Sequence, residues 1–152
     1  MIPIDGEPGE IRYEVAVDEL WRTTECSINL GEKTINIAAN DGKWQIDGEE
    51  NHELAGCIDV DLGWTPSTNT LAIRRLALEV GGTAETRSAW LRFPEMEFTP
   101  SIQKYTRVSH THWRYHSATA DYDLEVSSDG VVCRYGDLWW GSVETGTTPG
   151  TH

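Results

Sequence analysis

Thr34-Ile35-Asn36-Ile37-Ala38 alternates polar and apolar side chains, Asn40-Asp41-Gly42 follows, and Lys43-Trp44-Gln45-Ile46-Asp47 alternates again. A period of two puts Ile35 and Ile37 on one face of a strand, and Trp44 and Ile46 on one face of the next. Asp-Gly between two such runs marks a hairpin, because the tight turn needs positive φ and these residues tolerate it. The same pattern returns late in the chain. Tyr122-Asp123-Leu124-Glu125-Val126 leads through Ser127-Ser128-Asp129-Gly130 into Val131-Val132-Cys133-Arg134-Tyr135. Two hairpins of this kind decide the class: the chain is all-β.

Working outward, further strands are expected over 11–17, 57–62, 71–80, 88–93, 99–108 and 112–117. Sixteen Thr and few long helix-forming stretches agree with that reading. The spacing over 71–78 also suits a helix, and 17–22 has room for one helical turn with Asp18 as its N-cap. The expected architecture is a single β domain over 1–140. It is one curved antiparallel meander forming a half-barrel or roll, with at most one short helix. Residues 141–152 are mostly Gly, Thr and Ser, and read as a disordered tail.

At 152 residues the chain has the size of one domain. Leu, Ile, Val and Phe number 31, so seven Trp and five Tyr must supply much of the core. The formal charge of −13 repels phosphate backbones and excludes general nucleic-acid binding. The acids are dispersed, with only three Lys against nine Arg, as expected of a protein from a salty cytoplasm, where screening is short-ranged. Cys26, Cys57 and Cys133 make neither a disulfide framework nor a zinc site, and read as apolar core residues in a reducing compartment. No signal peptide or membrane-length apolar run is visible, so a cytoplasmic location is expected. Exposed β edges leave room for a homo-oligomer.

The stretch Gly56-Cys57-Ile58-Asp59-Val60-Asp61-Leu62 carries the most chemistry. On a strand Asp59 and Asp61 share a face, roughly 7 Å apart at ~3.3 Å per residue. Such a pair can bridge to Arg74 and Arg75, contact a polar ligand, bind a hard cation, or serve as the two carboxylates of a glycoside-processing enzyme. Salt bridging leads, because two Arg lie a short loop away. Thr65-Pro66-Ser67-Thr68-Asn69-Thr70 offers hydroxyls and an amide that suit either a self-capped turn or sugar hydroxyls. His110, His112 and His116 fall on one strand face, but Arg114 among them opposes a dication and no carboxylate is near in sequence. No nucleophile elbow, phosphate loop or dinucleotide fingerprint appears. No catalysis, metal or cofactor is expected.

Gly42-Lys43-Trp44-Gln45-Ile46-Asp47-Gly48, the Gly56 to Leu62 stretch, the Thr65 to Thr70 loop and Leu71-Ala72-Ile73-Arg74-Arg75-Leu76 together resemble the glycolipid-binding family once known as a domain of unknown function. Ala89-Trp90-Leu91-Arg92-Phe93-Pro94, Gln103-Lys104-Tyr105-Thr106 and Asp129 to Tyr135 extend the resemblance over roughly residues 11 to 138. It implies a curved sheet that holds acyl chains on a concave apolar face of Trp and Ile. It also implies further hairpins ahead of the stretch at Tyr13 to Trp21, almost where this sequence begins, so that either the start is misplaced or the sheet is expected to lack some strands; the loop differs where Ser67 and Ala72 replace a common Phe and Pro. The expected partner is a glycolipid or other amphipathic molecule. Its polar end is expected to meet Asp59, Asp61, Thr65, Thr68, Asn69, Arg74, Arg75, Gln103 and Tyr105.

Overall fold

A computed structural model describes residues 11–118, 121–135 and 139–140, and its strands form two sheets. The first runs in chain order through β1 (Arg12–Val17), β2 (Thr23–Asn29), β3 (Thr34–Asn40), β4 (Lys43–Ile46) and β5 (Glu49–Glu50). Every pair in it is antiparallel, and the sheet curls into a half-barrel. Asp41 (φ 51°) and Gly42 (φ 76°) make the expected β3–β4 turn. Asp47 and Gly48 repeat the device before β5. Inward-facing Ile28, Ile37 and Trp44 are buried, and the Trp44 indole donates to the Cys57 carbonyl at 2.9 Å, which satisfies its one polar atom.

The second sheet contains β6 (Asp59–Leu62), β7 (Thr83–Arg92), β8 (Glu97–Arg107), β9 (His112–Ser117), β10 (Asp121–Val126), β11 (Val132–Tyr135) and β12 (Trp139–Trp140). Its order is again sequential, but β6 and β7 pair in parallel. A parallel neighbour cannot be reached by a hairpin; the chain needs a crossover of a dozen residues or more, usually helical. Residues 63–82 make it, with a 3-10 turn at Pro66–Thr68 followed by α1 (Asn69–Leu76). Helix α1 therefore takes the place of the first part of the strand expected over 71–80, and the one meander expected is two sheets, the second interrupted by the crossover between β6 and β7. The helical turn expected over 17–22 is a tight turn instead. Asp18 accepts from the backbone N–H of Leu20 and Arg22 at 2.9 Å each, and pairs with the Arg22 side chain.

Three layers result. Val60, Leu62, Ala89 and Leu91 face the first sheet and join Ile28, Trp44 and Leu54 in one core. On the opposite face, Ala72 and Ile73 of α1 pack over Tyr105, Trp113, Tyr115, Leu124, Val126 and Val132. Cys26 and Cys57 are buried free thiols, as small core residues should be. The tail expected over 141–152 lies outside the described residues. Among those described, no helix is long and apolar enough to cross a membrane.

Helix α1 ends at Ala77, whose left-handed backbone (φ 46°, ψ 45°) lets its N–H bond the Ile73 carbonyl at 3.1 Å. Glycine adopts this conformation without a Cβ penalty. Ala77→Gly is expected to raise stability by about 0.5–1 kcal/mol, read as a higher urea midpoint at unchanged slope.

Candidate functional site

Strand alternation on β6 turns Val60 and Leu62 into the core between the sheets and leaves Asp59 and Asp61 on the α1 side. Asp59 is 2% exposed and fully engaged. Arg75, in the last turn of α1, forks onto it: Nε to Oδ1 at 3.0 Å and Nη2 to Oδ2 at 2.8 Å. The Thr86 hydroxyl donates to Oδ2 at 2.9 Å and accepts from Arg75 Nη2 at 2.6 Å. This closed triangle ties the helix to β6 and β7.

Asp61 has different surroundings. Gln103 Nε2 donates to its Oδ2 at 2.6 Å, and the Thr68 hydroxyl also bonds it. Gln103 is held in turn by Ser88, whose hydroxyl donates to Oε1 at 3.0 Å. Both direct partners of Asp61 are neutral. Burial pushes its carboxyl up to about 6, the bonds from Gln103 and Thr68 pull against that rise, and the nearby Asp59 adds to it. The residue as a whole is half-buried, but the carboxyl itself is out of contact with water.

Around this pair the interior stays polar. Asn69 Nδ2 donates to the Tyr105 hydroxyl at 2.8 Å. Tyr105 meets Tyr115 edge-on at 5.3 Å, and Tyr115 bonds Ser117 and Gln103. Burial pushes both phenols above their ordinary range. Strand register explains the assembly: Asp59 lies opposite Ser88, and Thr86, Gln103 and Ser117 stand in one row across β7, β8 and β9.

Seven of the nine expected site residues converge here: Asp59, Asp61, Thr68, Asn69, Arg75, Gln103 and Tyr105. Thr65 and Arg74 do not. Thr65 bonds Ser67, which reaches the Tyr13 hydroxyl of the first sheet, so that part of the loop is a self-capped turn. Arg74 turns outward, donating to the Asp129 carbonyl at 2.7 Å and lying over the Trp21 ring at 4.6 Å. Thr86, Ser88, Tyr115 and Ser117 were not foreseen. The only signal for them is polarity at inward strand positions, which becomes readable once the register is known.

The two-carboxylate reading meets an obstacle, since Asp59 has both oxygens committed to Arg75 and Thr86 and offers no second free group. The histidine row also differs from expectation. His110 lies off the strand, and carboxylates do face the other two: Asp123 meets His112 at 3.2 Å, and Asp121 stands 3.8 Å from His116. Arg114 sits between both acids. Among the described residues, no three of His, Cys, Asp and Glu gather to hold a metal ion.

The outward side of the curled first sheet carries an open groove of about 400 Å³, lined by Glu14, Glu25, Asn36 and Gln45 around Ala16 and Ala38. It is polar. Trp44, Ile28, Ile35 and Ile37, the kind of residues expected on a concave face, are buried on the other side.

A family model described as putative glycolipid-binding matches residues 2–140. A crystal structure of a DUF1089 family protein from Pseudomonas aeruginosa is similar to this chain, with a TM-score of 0.79 and 29% identity. The similarity covers 90% of this chain and 81% of that one. A search of curated proteins returns no match.

Proposed function

We propose, from the premise that this chain belongs to the putative glycolipid-binding family, that it holds an amphipathic molecule whose polar end sits at Asp61 and Gln103. The observation that carries this reading is the buried carboxyl of Asp61, supported only by neutral donors and pushed up to about 6 by burial. An acid kept in such a place lowers stability, and proteins retain that cost where the group has work to do. Thr99 and Ser101 lie on the same face of β8 as Gln103, and Trp90 is the register partner of Asp61; all three are half-buried. They give the ligand hydroxyl partners and an apolar flank, the mixture that ligand sites use. Asp59 and Arg75 act as positioning residues that fix α1 over the site, with Thr68, Asn69 and Tyr105 holding its walls.

Native mass spectrometry of freshly purified protein tests the reading. Adducts of lipid mass that leave on denaturation are expected, and Asp61→Ala should carry about tenfold less. Repeated preparations without an adduct, together with no uptake of added glycolipid, would overturn it.

A further inference from the structure

We infer that residues 66–72, where the 3-10 turn of the crossover runs into α1, work as a proton-operated latch, sealing Asp61 while its carboxyl is protonated and freeing it to water once it ionises. The latch belongs to the fold and needs no ligand, so it goes beyond the binding reading. Its cause is the charge balance of the layer between α1 and the second sheet. Asp59 and Asp61 both point into that layer from β6. Arg75 spends Nε and Nη2 on Asp59, with Nη2 also reaching Thr86. Arg74 is turned away onto the Asp129 carbonyl and Trp21. Tyr105 from β8 and Tyr115 from β9 also face the layer, and burial raises both phenols, so they keep their protons near neutral pH. From β7 come the hydroxyls of Thr86 and Ser88. Asp61 is left with bonds from Gln103 and Thr68, both neutral, where a carboxylate can accept about four. Ionised, it is an anion beside a second carboxylate with no cation of its own, and contact with water is what relieves it.

The crossover is the element free to yield. Behind Asp61, β7 is paired with β8 along its whole length. Gly63 is fixed by its N–H bond to the Leu91 carbonyl at 2.9 Å, and the Arg75 fork pins the last turn of α1. Between those anchors no strand pairing holds residues 66–72. Besides the packing of Leu71 and Ala72, they are held by single bonds from neutral side chains. Ser67 bonds the Tyr13 hydroxyl, and Asn69 donates to Tyr105 at 2.8 Å. The Thr68 and Thr70 hydroxyls accept from the Leu62 and Val132 N–H groups at 3.2 Å each. Lifting this segment bares Asp61, Gln103 and Tyr105 to water together. The sealed state holds the Asp61 proton more tightly than the open one, so rising pH favours opening. With the carboxyl at about 6 when sealed and 3.8 in water, the open fraction is expected to rise about tenfold between about pH 5 and about pH 8.

Amide hydrogen exchange of the whole chain, followed by NMR over that pH range and corrected for intrinsic rates, tests the latch. Leu62 and Val132 are its reporters, because crossover hydroxyls hold their N–H groups. Val60 is the control on the same strand, its N–H held at 3.1 Å by Thr23 of the first sheet. A local opening exposes little surface, so low urea leaves its exchange unchanged while speeding exchange through global unfolding. Both reporters are expected to exchange at least about tenfold faster than Val60, without response to low urea, and about tenfold faster again at the upper pH. Asp61→Asn should abolish that rise with pH. Reporters that exchange at the Val60 rate and speed up in urea overturn the latch, since the fold then opens only as a whole. Local exchange that does not rise with pH, or a rise that persists in Asp61→Asn, overturns it as well. None of these outcomes bears on the lipid adducts, which test the binding reading separately.

Discussion

Arg75→Met is expected to lower the unfolding free energy by about 3–5 kcal/mol, the usual cost of stranding one member of a buried ion pair. Methionine keeps much of the side-chain volume, so the loss is electrostatic. It leaves the Asp59 carboxylate 2% exposed and removes two of the hydrogen bonds that reach its oxygens, with Thr86 still donating. In urea the midpoint should fall at nearly constant slope, and Tm should drop by roughly 10 °C or more. The double variant Asp59→Leu with Arg75→Met should recover most of the loss, because an apolar pair of similar volume needs no desolvation. A single-variant cost below about 1 kcal/mol would mean that the pair is solvated and does not pin α1.

Arg75 also marks how far the sequence could be read. A bridge from Asp59 to Arg74 or Arg75 is evident from their types and separation, but the choice between the two follows from the helix. Adjacent residues on a helix point about 100° apart, so only one faces β6. That helix was hard to see, because eight residues of mixed spacing suit either period. What requires it is the parallel pairing of β6 with β7, a long-range fact with no local signature. β2 was missed for a different reason. Thr23–Asn29 carries only Cys26 and Ile28 as apolar inward residues, and a register shift opposite Ala16 and Val17 breaks its alternation. The turns, by contrast, are local chemistry. Asp41-Gly42 and Asp129-Gly130 are legible because Asp41, Gly42 and Gly130 take positive φ, a backbone demand that few residue types meet. The candidate site falls between these cases. Asp59, Asp61 and the Thr68-Asn69 corner lie close in sequence and were visible. Thr86 and Ser88 join them only through strand pairing, the Thr86 bond to Asp59 spanning 27 residues of chain.

Asp61→Asn is expected to stabilise the protein, and the gain should depend on pH in a defined direction. The carboxyl sits at about 6 in the fold against an ordinary value of 3.8. Between those values the folded chain holds a proton that the unfolded chain has released, so stability falls as pH rises. The contribution of the protonated group is fully present below the unfolded value and is lost as pH climbs through about 6. Above that, the ionised group costs on the order of 2 kcal/mol. Asparagine cannot ionise, and its carbonyl still accepts from Gln103 Nε2. At about pH 8 the variant should therefore gain about 2 kcal/mol, or roughly 4–8 °C in Tm, and the gain should shrink toward zero near pH 4. Urea titrations across that range, on the variant and its parent, read the difference directly. A gain of equal size at both ends would assign it to packing and not to charge. No gain at either end would place the carboxyl in water, without the burial from which the binding reading starts.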